Sequence, residues 1–93
     1  METRKLTLSL EPVAGGITLF YAFLNDKKVI QADGTKKVQW TGEVPTSQVK
    51  LKVRVMGIDN AQYKLSIDLP GTANDQSLTL NLEGGYHEIE ILL

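Results

Sequence analysis

Apolar and polar residues alternate along much of the chain, a pattern typical of β-strands with one buried face. From Val49 to Met56 the odd positions are apolar, and most of the even positions are basic. The turn-forming stretch Gly57 to Asn60 follows, and the alternation resumes from Tyr63 to Leu69. We predict that these two runs form a hairpin with a basic outer face.

A second pair of alternating runs flanks Gly84 and Gly85, which favour a tight turn. Apolar residues occupy every second position on both sides of these glycines: Leu78, Leu80, Leu82, Ile89, Ile91 and Leu93. We predict a second hairpin from Ser77 to Leu93. The preceding residues, Pro70 to Gln76, end the earlier strand and form a polar loop.

The N-terminal third contains a strand that is apolar on both faces. A first strand alternates from Leu6 to Leu10 and is predicted to end near Pro12. The run from Ile17 to Leu24 has almost no polar residue. Its β-branched and aromatic content favours a strand over a short buried helix. We predict a central strand covered on both sides, or one whose outer face is covered by a loop or a partner.

Two further strands complete the pattern. Val29 to Ala32 form a short strand or an extended connection, and residues 32–35 have the composition of a turn. Val38 and Trp40 share the inward face of the next strand, which ends at Gly42 to Pro45.

Seven or eight short strands without an amphipathic helix predict one all-β domain over residues 1–93. We expect a small antiparallel β-sandwich, with a small β-barrel as the alternative. The architecture resembles immunoglobulin and fibronectin sandwiches only in general outline, because the immunoglobulin Cys-Trp-Cys pattern is absent.

The net charge of −1 conceals an uneven distribution of charge. All ten basic residues lie at or before Lys64, where they outnumber the acidic ones, and only acidic charges follow. We predict a basic side and an acidic side, unless the two hairpins pair within one sheet.

Few residues in this sequence have the chemistry of a catalytic or metal site. There is no cysteine, and His87 is the only histidine. We therefore predict no catalytic, cofactor or transition-metal site, and place His87 at the rim of the core. A small hydrolase using His87 is a remote alternative. Turn acids such as Asp33, Asp59 and Glu83 leave calcium binding open, although no Asp-x-Asp-x-Asp-Gly spacing supports it.

These features favour a non-catalytic binding or protein-interaction module, whose partner is another protein or a second copy. The candidate interaction surface comprises Phe20, Leu24, Lys50, Lys52, Arg54 and Met56. The alternative is a carbohydrate-binding module with Trp40 and Tyr86 as an aromatic platform. Nucleic acid is disfavoured because the basic positions lack interleaved aromatic residues.

The N-terminal residues alternate instead of forming a continuous apolar run, so we expect no signal peptide. The compartment stays open between the cytoplasm and a mature secreted domain. The run from Ile17 to Leu24 is far shorter than the about 20 residues of a membrane-spanning helix, so membrane insertion is not expected.

Overall fold

The computed structural model describes residues 2–69 and 75–93 and contains eight β-strands in this part of the chain. In chain order they are β1 (Thr3–Ala14), β2 (Ile17–Leu24), β3 (Lys27–Asp33), β4 (Val38–Pro45), β5 (Lys50–Gly57), β6 (Gln62–Asp68), β7 (Gln76–Asn81) and β8 (Tyr86–Leu92). The predicted loop from Pro70 to Gln76 lies mostly outside the described residues.

The strands form two four-stranded antiparallel sheets. The first sheet has the order β4-β1-β6-β7, and the second has the order β3-β2-β5-β8. The predicted all-β sandwich is therefore confirmed, rather than a single closed sheet. In the described part of the chain, no helix is long and apolar enough to span a membrane.

Both predicted hairpins are wrong. Strand β5 pairs with β2 and β8, whereas β6 pairs with β1 and β7, so the chain crosses between the sheets at residues 58–61. It crosses again between β7 and β8, where the tight turn at Gly84 and Gly85 makes only one bridge, from Glu83 to Tyr86. A hairpin and a crossing connection place the same alternate residues inward, so period-two alternation does not distinguish them.

The observed hairpins are β2–β3 and β6–β7. Asn25 and Asp26 connect β2 to β3 with φ angles of 49° and 69°, as the favoured two-residue hairpin turns require. The two halves of the chain have the same pairings. In the first half β1 pairs with β4 and β2 with β3, and in the second half β5 pairs with β8 and β6 with β7. The fold therefore has a pseudo-two-fold topology, although the sequence shows no internal repeat.

The inward rows form one core between the sheets. Buried side chains come from every second position of β5 and β6, as the alternation predicts, and from Leu6, Leu8 and Leu10 of β1. Leu82 is also fully buried. The inward residues of the edge strands β7 and β8, and Val38 and Trp40 of the edge strand β4, are only partly buried, whereas Val44 of β4 is buried.

Strand β1, which the sequence predicts to end near Pro12, continues to Ala14 with an irregularity after Pro12. Pro12 pairs with Tyr63 of β6, while the pairing of β1 with β4 ends at Leu10. The proline is tolerated because it lies beyond the last β4 pair, where its missing N–H removes no ladder hydrogen bond on that side.

Connections between the sheets interlock at one end of the sandwich. The Gly57 N–H donates to the Gly85 carbonyl at 2.9 Å, and the Ile58 N–H donates to the Gly16 carbonyl at 2.9 Å. Leu82 exchanges backbone hydrogen bonds with the β5–β6 connection, through Asn60 and Ala61. Three crossing connections therefore satisfy one another's backbone polar groups, which a two-stranded hairpin turn would not do.

Candidate functional site

The outer face of the second sheet carries a mixture of aromatic, apolar and charged side chains. Strand register places Tyr21 of β2 beside Arg54 of β5, and Arg54 beside Glu88 of β8. One step along the sheet, Met56 lies beside Tyr86. This ordering follows from the antiparallel pairing β3-β2-β5-β8, which aligns outward residues from four different parts of the chain.

A shallow depression of about 370 Å³ opens on this face. Four aromatic or apolar side chains and two cations line it: Tyr21, Phe23, Lys28, Arg54, Met56 and Tyr86. We call it the outer-face depression. Met56 is 39% exposed and Tyr86 is 43% exposed, so both present apolar surface to solvent.

Basic side chains cover the aromatic rings of β2. The guanidinium carbon of Arg54 lies 5.4 Å from the centre of the Phe23 ring, and Lys28 Nζ lies 5.7 Å from the centre of the Tyr21 ring. These are cation–π distances. The apolar outer face of β2 therefore has a cover from the same chain, because Arg54 and Lys28 partly shield its aromatic rings from water.

Arg54 is held in place by an acidic neighbour as well as by Phe23. Its Nε donates to Glu88 Oε1 at 2.6 Å. The hydrogen bond to Glu88 raises the pKa of the Arg54 guanidinium, and the same bond lowers the pKa of the Glu88 carboxyl. The guanidinium is therefore oriented before any ligand arrives, and its edge lies at the wall of the outer-face depression.

The predicted basic stripe on β5 is paired with acids. Lys52 Nζ lies 3.4 Å from Glu90 Oε1 on β8, and Lys50 Nζ lies 3.4 Å from Asp26 Oδ1 in the β2–β3 turn. Because β5 and β8 are neighbours in one sheet, the separation into a basic and an acidic side is not found there. Exposed pairs of this kind contribute little to stability, but they reduce the net charge of the surface.

Two residues of the predicted interaction surface are not at the surface. Phe20 and Leu24 are buried in the core, and their β2 neighbours Tyr21 and Phe23 face outward instead. The cause is an irregularity in the β2–β5 register between Ile17 and Leu19. An extra residue of this kind reverses the side-chain alternation, so that Ile17 and Phe20 face the same side.

The predicted surface residues on β5 do lie on the outer face. Lys50, Lys52 and Arg54 are partly buried and paired with acids, and Met56 is exposed. Only Arg54 and Met56 of the predicted set line the outer-face depression.

The predicted aromatic platform is not one surface. Trp40 belongs to β4 of the first sheet and packs partly against the core, whereas Tyr86 lies on the outer face of the second sheet. The two rings therefore do not lie side by side, and a platform on this face would have to use Tyr86 with other residues.

His87 bridges the two sheets. Its Nδ1 lies 2.7 Å from the hydroxyl oxygen of Tyr63, which comes from β6 and is fully buried. The Tyr63 ring also meets the Phe20 ring edge-on at a centroid distance of 6.2 Å. Burial raises the pKa of the Tyr63 hydroxyl. The placement of His87 at the rim of the core, predicted from strand parity, agrees with its partial burial.

Two of the turn acids considered for calcium, Asp33 and Asp59, accept backbone hydrogen bonds. Asp33 Oδ1 accepts the Thr35 N–H at 3.0 Å, and Asp59 Oδ1 accepts the Gly84 N–H at 2.9 Å. Within residues 2–69 and 75–93, no group of three His, Asp or Glu side chains is placed to hold a metal ion. The Asp33 contact is what Asp provides in turns generally, whereas the Asp59 contact joins the β5–β6 and β7–β8 connections.

Sequence reasoning missed Tyr21, Phe23 and Lys28 as lining residues. Alternation separates Tyr21 and Phe23 from the row Phe20, Ala22 and Leu24, but both rows are apolar, so the sequence does not say which row faces outward. The position of Lys28 depends on a second irregularity, between Ala22 and Phe23 in the β2–β3 register. Alternation alone does not locate such irregularities.

Comparisons with protein-family models, with curated proteins and with solved structures found no match to this chain.

Proposed function

We propose that this chain is a non-catalytic binding module that recognises a protein segment on the outer face of its second sheet. The observation that carries the proposal is the outer-face depression, in which exposed Met56 and Tyr86 lie beside the oriented cation of Arg54. Tyrosine, methionine and arginine are enriched where proteins contact one another, because each combines a large contact area with adaptable or polar chemistry.

The charge of the lining residues indicates the chemistry of the partner. Among the residues that the structure describes, the charged ones that line the depression are the cations Lys28 and Arg54. An apolar side chain of the partner would contact Met56 and the aromatic rings, and a flanking carboxylate would face the cations. We therefore propose a segment in which an apolar residue is flanked by Asp or Glu.

A carbohydrate ligand is the second candidate, and the exposure of Tyr86 favours it. An exposed tyrosine ring next to an arginine–carboxylate pair offers a stacking surface and hydrogen-bonding groups. Against it, Lys28 and Arg54 already lie near Tyr21 and Phe23, which leaves less open aromatic surface than a platform requires.

The architecture of two packed antiparallel sheets is shared with immunoglobulin- and fibronectin-type sandwiches. The proposal includes an immunoglobulin-like relationship only as this shared architecture of two packed sheets. Because one fold hosts many functions, the proposal rests on the surface and not on the architecture.

The proposal is tested with arrays of acetylated hexapeptides that carry Leu or Phe flanked by Asp or Glu, and with matched peptides flanked by Lys. We expect binding that prefers the acidic set, with amide shift changes in an NMR titration centred on Tyr21, Arg54 and Tyr86. A glycan array is screened in parallel. Glycan binding without peptide binding would favour the carbohydrate candidate and overturn the protein proposal.

A pair of variants distinguishes binding at this site from nonspecific hydrophobic binding. Met56→Ser removes exposed apolar surface inside the depression, and we expect at least about a tenfold loss of affinity for the best peptide. Ile58→Ser is the matched control, because Ile58 is 59% exposed but does not line the depression. Equal loss in both variants, or no preference for acidic peptides, contradicts the proposal.

A further inference from the structure

Each of the two sheets ends in two edge strands, and one of the four lacks the features that normally protect an edge. The edge strands are β4 and β7 in the first sheet, and β3 and β8 in the second. Exposed edges are templates for pairing with another chain, and proteins usually block them with charges, proline or irregularities.

Three of these edges carry such protection. Strand β3 contains Lys27, Lys28 and Asp33, and its pairing with β2 is irregular. Strand β8 contains Glu88 and Glu90. Strand β4 contains Glu43 and ends at Pro45.

Strand β7 has none of these features. Its sequence, Gln-Ser-Leu-Thr-Leu-Asn, has no charge, proline or glycine, and its pairing with β6 runs without a register shift. Within residues 2–69 and 75–93, no strand pairs with its other edge. Its inward residues Leu78 and Leu80 are only partly buried, so apolar surface continues to this edge.

We infer that β7 is a self-association edge that pairs antiparallel with β7 of a second copy about a two-fold axis. Self-pairing is favoured here because the strand brings no like charges together. The same arrangement at β8 would place the glutamates of the two copies near one another. The resulting eight-stranded sheet would place the partly buried leucines of both copies on one face, next to each other.

The side-chain alternation allows only registers in which paired residues share a face. The two registers that pair the most residues have the two-fold axis at Leu78 or at Thr79. In both, the Thr79 side chains of the two copies lie on the outer face, either directly opposite or one diagonal apart, at roughly 5–8 Å. A charge introduced at residue 79 would therefore lie close to the same charge on the second copy.

The pairing involves one short strand, so we expect a weak dimer whose population rises with concentration. Sedimentation equilibrium of the whole chain from about 10 μM to about 1 mM covers the relevant range of Kd. We expect dimer formation by the wild type and, at low salt, monomer for Thr79→Lys alone and for Thr79→Glu alone. We expect an equimolar mixture of the two variants to restore the dimer.

The matched control is Gln39→Lys, an exposed residue on β4, the opposite edge of the same sheet. We expect this variant to dimerise like the wild type. Circular dichroism and thermal melting check that each variant folds; Thr79 pairs with Lys64 of β6, so Thr79→Glu should not weaken the monomer. A wild type that stays monomeric at about 1 mM, an equal effect of the two lysine variants, or a mixture that stays monomeric overturns the inference. None of these outcomes bears on the outer-face depression, which lies on the other sheet.

Discussion

The substitution Gly57→Ala tests the crossing of the chain between the sheets directly. A Cβ atom added at Gly57 would lie 2.3 Å from the Gly16 carbonyl oxygen and 3.0 Å from the Ile17 Cα. An ordinary carbon–oxygen contact is at least roughly 3.3 Å, so the overlap is about 1 Å. Both are backbone atoms, one in the β1–β2 connection and one in the first residue of β2, and they cannot rotate away as a side chain would.

Relief of this overlap requires the two connections to separate. That movement strains the hydrogen bonds from Ile58 N–H to the Gly16 carbonyl and from Gly57 N–H to the Gly85 carbonyl, each 2.9 Å long. Overpacking in a well-packed region costs about 1–3 kcal/mol, and a strained hydrogen bond adds about 1 kcal/mol. We expect Gly57→Ala to lower the free energy of unfolding by at least about 2 kcal/mol, or roughly 8–16 °C in Tm for a domain of this size.

The assay is thermal and urea unfolding followed by circular dichroism, with Gly16→Ala as the matched control. Neither glycine has a positive φ, so alanine is compatible with the backbone at both positions. A Cβ at Gly16 would have its nearest neighbour at 3.7 Å, which is ordinary van der Waals contact. We expect Gly16→Ala to change the stability by less than about 0.5 kcal/mol.

The two topologies give different results in this experiment. If a β5–β6 hairpin took the place of the β2–β5 pairing, the β1–β2 connection would not lie against Gly57, and alanine would be accepted. Stability changes that are equal for the two variants, or a tolerated Gly57→Ala, would refute the interlocked connections described here.

Three further expectations concern titratable groups. Tyr63→Phe removes the hydrogen bond to His87 while retaining the ring, so we expect a loss of about 1 kcal/mol, measured by urea unfolding at neutral pH; unchanged stability would contradict a contribution from this bond. Because burial raises the pKa of the Tyr63 hydroxyl above its ordinary value of 10.0, the unfolded chain loses this proton first, so stability falls as the pH rises above 10.0. We expect the stability of Tyr63→Phe to fall less steeply than that of the wild type above pH 10.0. Parallel profiles of stability against pH would argue that the Tyr63 hydroxyl is not the source of the decline. The pKa of the Glu88 carboxyl, measured by NMR titration, should lie below 4.5 and rise towards it in Arg54→Gln. The stability that this bond supplies is present above 4.5 and is lost as the pH falls through the lowered pKa; an unaltered Glu88 titration would contradict the bond's role.

The alternation of apolar residues predicted the strands and most of their inward rows. Rows such as Val49 to Val55 and Tyr63 to Leu69 are buried as expected, since the two-residue period is a property of the strand itself. It did not predict which strands are neighbours. Whether residues 58–61 form a hairpin or cross between sheets depends on contacts with Gly16 and Leu82, which are distant in the sequence.

The candidate site was predictable only in part, for the same physical reason. Arg54 and Met56 follow from the outward parity of β5. Tyr21 and Phe23 do not, because an irregularity after Ile17 reverses the parity of β2, and such irregularities arise from pairing with a neighbouring strand.

By itself, then, the sequence determined a cysteine-free all-β chain with one histidine and alternating strands, because composition and strand period are local properties. Only the tertiary structure decided that the basic β5 lies beside the acidic β8, where the two neutralise each other. It also decided that aromatic, apolar and basic side chains from β2, β3, β5 and β8 meet in one depression, and that the uncharged β7 is an edge. Strand order sets these outcomes, and it depends on packing between residues far apart in the chain.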